Sequence, residues 1–191
     1  MDAEKAGQDM IDTRVHCLLY FLSPSGHGLK PLDLEVMRQL ASKVNLLPVI
    51  SKADSLTQTE TKRLKARILE ELRAAEIPTY QTDSEEVTQQ GAKQPFTVVG
   101  ANAVAELGGK TLCVRQYPGF GQVEVENPDH CDFTSLRSFL VAYIPYLKQV
   151  TRDVHYEKFR VSAMKPFQRM AEAMKRRRNS NTMTNFNNNL T

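Results

Sequence analysis

Val44-Asn45-Leu46-Leu47-Pro48-Val49-Ile50-Ser51-Lys52-Ala53-Asp54 is the stretch on which the fold turns. Val44 to Ile50 is an apolar run whose length suits a strand buried on both faces of a parallel sheet. Pro48 counts against that reading, because proline cannot donate a ladder hydrogen bond. Ser51 to Asp54 then leaves the strand as a polar loop. Thr57-Gln58-Thr59-Glu60 follows as a capping box and opens a helix to about Glu76. Leu64, Ile68, Leu72 and Ala75 fall on one face of that helix.

The same grammar extends upstream and downstream. Val15 to Leu22 is a second apolar run, broken by the loop Ser23-Pro24-Ser25-Gly26-His27-Gly28. Pro31 suits the first turn of a helix, and Leu34, Met37, Leu40 and Ala41 follow at helical spacing. Residues 78 to 95 are polar and predict a long surface loop. Phe96 to Val99 reads as a third short strand, ended by Gly100. Strand, helix, strand, helix, strand predicts an α/β fold with a parallel sheet and right-handed crossovers. Thr111 to Arg115 and Gln122 to Glu126 then flank a turn at Tyr117-Pro118-Gly119-Phe120-Gly121, which predicts a β-hairpin with one wet face. Asp132 is placed to cap a last helix with Phe133, Leu136, Leu140, Tyr143 and Leu147 on one stripe. Pro145 is expected to kink or split it.

The organisation expected is a loose N-terminus over 1–13, a folded region over 14–162, and a disordered tail over 163–191 that is basic, then Asn-rich. The length of 191 residues favours one domain. Hydrophobic residues at 41% and charged residues at 25% are ordinary for a globular protein. A net charge of +3 gives no footprint of nucleic acid. Cys17, Cys113 and Cys131 form neither a disulfide framework nor a metal-ligand spacing, which points to reduced thiols in the cytosol. No apolar leader or membrane-length run occurs.

Loop 51–54 carries chemistry. Guanine offers a ring N–H and an exocyclic amine side by side, and one carboxylate accepts both in a fork. Adenine has no such pair there. Asp54 is the residue type for that task, and a site built on such pairing rejects the analogue that lacks it. The aliphatic stem of Lys52 can cover a base while its ammonium stays in water. The loop also leaves the carboxyl end of a strand, where open α/β sheets bind ligands. The competing reading is a polar loop whose Asp54 only helps to start a helix. A phosphate site is another matter. Gly108-Gly109-Lys110-Thr111 ends like G-x-x-x-x-G-K-[ST], but Val104 stands where the first glycine is required, and a strand-like segment follows. It reads as a hairpin loop. No Asp-x-x-Gly precedes it to hold a magnesium side, so these residues alone recognise a base without transferring a phosphoryl group.

Several segments together resemble the septins. Asp12-Thr13-Arg14-Val15-His16-Cys17-Leu18-Leu19-Tyr20-Phe21 is similar to their strand entry, and Ser25-Gly26-His27-Gly28-Leu29-Lys30-Pro31-Leu32-Asp33 to the loop after it. Ser51-Lys52-Ala53-Asp54 resembles their guanine motif, usually Ala-Lys-Ala-Asp. Arg115 to Pro118 and Val123 to Pro128 resemble the segment that separates septins from other small GTPases, and His155-Tyr156-Glu157 with Phe159-Arg160 their closing helix. The resemblance covers roughly residues 12 to 162. It implies the C-terminal part of a P-loop small-GTPase-like domain, with parallel strands, a septin-type β-hairpin insertion and a C-terminal helix.

The resemblance further implies that GTP or GDP is the ligand, with Lys52 and Asp54 holding the base, the Gly100 backbone facing it and Arg115 flanking it. His27, Glu60 and Phe120 would lie at a subunit interface across the nucleotide, although Glu60 is also explained as a capping-box residue. Mg2+ would enter only with the N-terminal half of the domain, because the match begins after the phosphate loop, the first switch and the magnesium-side motif. The missing neighbour would leave the strand at 15–22 with an open apolar edge, which predicts poor solubility or marginal stability. The family's Tyr-Pro-Trp-Gly turn reads Tyr117-Pro118-Gly119-Phe120-Gly121 here, and no sustained heptad follows Met174. Implied partners are other septin subunits in filaments, at the cytoskeleton, cell cortex or division site. Lys175 to Arg178 offers a second partner, an anionic membrane surface, or is simply a solvated helix end. Three readings remain open: a septin filament subunit, a GTP hydrolase, and a septin-derived interaction module that binds no nucleotide.

Overall fold

The structure, a computed structural model, describes residues 12–80, 94–107, 109–167, 170 and 174. Its first compact unit ends at Thr151. The chain runs through β1 (Leu18–Leu22), α1 (Pro31–Ala41), β2 (Leu46–Ile50), a 3-10 turn (Ala53–Ser55), α2 (Gln58–Ala74) and β3 (Phe96–Thr97). Strands β4 (Ala103–Leu107), β5 (Lys110–Tyr117) and β6 (Gly121–Glu124) follow, then α3 (Phe133–Val150).

The first three strands form a parallel sheet in the order β1-β2-β3. Because each step moves the same way across the sheet, right-handed crossovers send both connecting helices to one face. The packing agrees with that. Leu46 and Ile50 of β2 join Leu22, Met37, Ala41, Leu64, Ile68 and Leu72 in one cluster. Leu47 and Val49 point the other way, to Phe96, Leu136, Phe139, Tyr143 and Leu147 of the α3 side. The two-residue period of a strand thus splits one apolar run between two cores. Every residue of β2 is buried. At about 1.5–3 kcal/mol for each fully buried large aliphatic side chain, this strand is the main apolar anchor of the unit.

Pro48 lies within β2, opposite Tyr20, despite the argument against it. The alternation of the backbone explains the tolerance. Leu46 O and Ile50 O accept from Tyr80 N and Val98 N on the side away from β1. Pro48 therefore turns its nitrogen to that same side, where β3 pairs only with Val49 and Ile50. The missing donor falls just before the ladder begins.

Three other elements depart from expectation. Strand β3 covers Phe96–Thr97 rather than extending to Val99. Strand β4 was not anticipated, and Gly109, at φ +78, sits in the turn that joins it to β5. Helix α3 runs unbroken through Pro145. Proline removes the hydrogen bond to the carbonyl four residues earlier, at Val141, and Val141 lies on the exposed side, where water can replace it.

On β1, Leu18, Tyr20 and Leu22 face the α1–α2 core, and Cys17 and Leu19 face the α3 core. Among the described residues β1 pairs with β2 alone, and Phe21 is 58% exposed. The expected segment 1–13 falls largely outside the described residues, as does most of the loop at 78–95. A second unit starts at Arg152. There a π-helical turn, Thr151–Tyr156, leads into α-helix over 157–167, past the expected boundary at 162. Phe159 and Phe167 are exposed on it. Lys175 to Arg178 and the Asn-rich tail lie outside the described residues. None of the described helices is long and apolar enough to cross a membrane.

One polar side chain ties the first unit together. Asn45 is buried, and its Nδ2 donates to His16 O at 2.7 Å and Leu147 O at 3.0 Å. It thereby links the entries of β1 and β2 to the end of α3. Asn45→Ala takes the described side-chain donor from His16 O and unties it from Leu147 O, which still accepts from Thr151 Oγ1, and the expected loss is about 2 kcal/mol. Urea denaturation of the variant beside the parent chain measures it.

Candidate functional site

The site grows from the carboxyl end of β2. Ser51 closes the strand by donating twice to Leu22 O, from its backbone N at 3.0 Å and its Oγ at 2.9 Å. Lys52 then takes a left-handed conformation, φ 51 and ψ 49, which costs a residue with a Cβ roughly 1 kcal/mol or more. The turn recovers part of that through Ser55 Oγ, which donates to Lys52 O at 2.7 Å. Ala53 is buried and its N–H donates to Val98 O at 3.1 Å, fixing the loop to the strand-end at Val98. This sharp reversal turns Asp54 inward and leaves Lys52 exposed.

Asp54 has a side chain only 5% exposed. Its Oδ1 is buried without a hydrogen-bond partner among the described residues. Its Oδ2 lies 3.6 Å from Arg115 Nε, an ion pair too long to be a hydrogen bond. Arg115 Nη1 in turn donates to Gly100 O at 3.3 Å, and Nε to Tyr117 Oη at 3.0 Å. The Arg115 guanidinium also stands 5.6 Å from the centre of the Tyr117 ring. So Asp54, Gly100 and Arg115, which are far apart in sequence, meet at one place, and Lys52 borders it in the loop.

The three interface candidates sit on separate segments. His27 is exposed on the β1–α1 loop, between Gly26 at φ +71 and Gly28 at φ +80. Glu60 is exposed and engaged in its own capping box: Oε2 accepts from Thr57 N at 2.8 Å and Thr57 Oγ1 at 2.7 Å. The backbone and hydroxyl donors of Thr57 hold its carboxyl below the usual carboxylate range. Phe120 is 95% exposed in the β5–β6 turn.

Behind the loop lies a cleft of about 440 Å³, lined among others by Asp54, Lys62, Lys65, Thr97, Val123 and Asp132. Here sequence reasoning missed a residue's task. Asp132 stands at the N-cap of α3 as expected, yet its side chain does not cap that helix. It accepts instead from Thr97 N at 2.8 Å, from Thr97 Oγ1 at 2.5 Å and from Lys65 Nζ at 2.5 Å. These bonds lock α2, β3 and α3 around the base of the loop. The local pattern Asp132-Phe133 carries no sign of it, because both donors come from other elements.

The chain matches the septin family model over residues 2–173. It belongs to the septin family. Septin-1 of Drosophila melanogaster is 48% identical over 163 residues, which is 80% of this chain and 45% of that protein. Septin-2 of Mus musculus is 47% identical over 166 residues, 82% of this chain and 46% of that protein. The chain therefore spans about half the length of these relatives. A crystal structure of a septin GTPase domain from Chlamydomonas reinhardtii superposes with a TM-score of 0.69 at 23% identity, covering 82% of this chain and 62% of that one. Cdc11 from Saccharomyces cerevisiae gives 0.53 at 34% identity, covering 78% and 65%. The α/β fold, with a parallel sheet and a separate antiparallel one, is that of part of the septin GTPase domain. As a family, septins bind GTP or GDP and assemble into filaments.

Asp132 of this septin gives the site a pH signature. Burial pushes its carboxyl up, but the hydrogen bonds from Lys65 and Thr97 outweigh burial and leave it below the ordinary value of 3.8. A carboxyl depressed in the folded state stabilises above its unfolded value, and that contribution disappears as pH falls through the folded value. Acid titration of the thermal midpoint should show stability falling below about pH 4 in the parent chain. Asp132→Asn should be less stable at pH 7 and show a flatter acid limb.

Proposed function

We propose that this chain is the base-recognising part of a septin filament subunit, with GDP or GTP as its ligand. The observation that carries the reading is the buried, unpartnered Oδ1 of Asp54 beside Gly100 and Arg115. A buried carboxylate oxygen without a donor is costly, and natural structures keep such groups where a ligand supplies the partner. The guanine edge supplies two adjacent donors. Lys52, at the exposed rim, covers one face of the base with its stem, and Arg115 flanks the other side. The Gly100 carbonyl marks where the base edge meets backbone.

The proposal stops at the base. No G-x-x-x-x-G-K-[ST] pattern occurs in these 191 residues, so phosphate contacts, Mg2+ and hydrolysis lie outside it. Contact with other septin subunits is proposed through His27, Glu60 and Phe120, of which Phe120 is the most exposed large apolar side chain described. A second reading, an interaction module that binds no nucleotide, is favoured by one feature. Arg115 already neutralises the Asp54 carboxylate without any ligand.

Asp54→Ala and Asp54→Asn separate the two. Under the base-recognition reading, GDP affinity falls by about 100-fold in Asp54→Ala, because the guanine donors lose a charged acceptor. Isothermal titration of GDP into parent and variants measures it. Equal affinity in parent and variants, or no binding by the parent chain at millimolar GDP, would favour the interaction module.

A further inference from the structure

Two loops leave the carboxyl ends of β1 and β2, and they share an anchor. Leu22, the last residue of β1, accepts both Ser51 N and Ser51 Oγ on its carbonyl oxygen. An alanine at position 51 could make only the first of these bonds. The β1–α1 loop, which carries His27, therefore begins at the atom on which the Asp54 loop is hung.

The far end of the same loop is held by α2. Glu71 Oε2 accepts from Leu29 N at 2.6 Å. One turn earlier on the helix, Arg67 Nε donates to Glu71 Oε1 at 2.8 Å and orients the carboxylate. Gly28 lies buried against it at φ +80, and a Cβ there would stand 2.2 Å from Glu71 Oε1. Gly28 thus meets two demands at once, a left-handed backbone and the close approach of a carboxylate. An ordinary surface pair of Arg67 with Glu71 would account for Oε1. It would not account for Oε2 turned onto a loop amide 42 positions away, or for a glycine hollow that the carboxylate fills.

We propose that Glu71 is a positioning residue: its carboxylate, oriented by Arg67, fixes the Ser23–Lys30 loop and so places His27, and Ser51 couples that placement to the Asp54 loop. The fixing of the loop stands on geometry alone, and only the coupling step rests on the base-recognition reading.

Amide hydrogen exchange on the full chain, without nucleotide, tests the fixing. Glu71→Ala should speed exchange of the Leu29 amide by about 10- to 100-fold, the range for losing a bond to a charged acceptor. Glu71→Gln, which keeps an oxygen for Leu29 N, should recover most of the protection. Amides in the middle of α2 and in β2 should change by less than about 2-fold, as expected for local opening. Gly28→Ala should raise Leu29 exchange in the parent but much less in Glu71→Ala, because the two changes disrupt one contact. An unchanged Leu29 amide in Glu71→Ala, acceleration spread evenly through α2 and β2, or equal effects of Gly28→Ala in both backgrounds overturns the proposal.

The coupling has its own readout, the imidazole resonances of His27. They should shift when GDP is added to the parent chain and stay still in Ser51→Ala. A shift of equal size in Ser51→Ala overturns the coupling. If the parent chain binds no GDP, the base-recognition reading fails and takes the coupling with it, while the exchange result at Leu29 still decides the role of Glu71.

Discussion

Everything in the first unit is arranged around one constraint: β2 is buried on both faces. A strand of five residues cannot satisfy itself, so it needs a helix layer above, another below, and a strand on each side. Leu46 and Ile50 recruit α1 and α2, and Leu47 and Val49 recruit α3. With both neighbours parallel, the carboxyl ends of β1, β2 and β3 share one rim. The chain then places the His27 loop, the Lys52–Asp54 loop and Gly100 along that rim. The position of the site follows from the burial of a strand that contributes no functional atom.

At the rim the balance of forces changes. The core lowers free energy by excluding water, whereas Asp54 holds a charge largely away from it. The Arg115 ion pair offsets part of that cost, and at 3.6 Å it does so without a direct hydrogen bond. The Lys52 backbone adds strain of its own. Strain and incomplete polar satisfaction are gathered in one loop, at the carboxyl end of a strand that is buried throughout, and this is the place to which the proposed recognition of a base is assigned. Asp132, which follows the hairpin in the chain, shows the opposite treatment: it gathers donors from Thr97 and Lys65 and strengthens the frame.

The parts legible in sequence were those that depend on local periodicity. Met37 and Ala41 on α1, and Leu64, Ile68 and Leu72 on α2, are buried as their spacing predicts. The Thr57–Glu60 capping box forms as written. Strand β4 was hidden because Ala103, Ala105 and Glu106 have weak strand preference, and it forms through its ladder with β5. The tolerance of Pro48 and the unbroken path through Pro145 depend on which side each missing donor faces, which only pairing and exposure reveal. In the site, the residue types of Lys52 and Asp54 were readable, as was the family likeness that drew in Gly100 and Arg115. Their meeting through Arg115 and Tyr117, and the anchors supplied by Ser51 and Glu71, depend on contacts between distant elements.

The Asp54 carboxylate is proposed to receive the paired donors of a guanine edge. A titration of the parent chain with GDP, IDP and ADP in parallel tests it most directly, because the three share their phosphates and differ at the edge that Asp54 would read. The expected affinity order is GDP above IDP above ADP, since hypoxanthine keeps the ring N–H but lacks the exocyclic amine and adenine lacks the pair. Equal affinity for all three, or an order led by ADP, would contradict it.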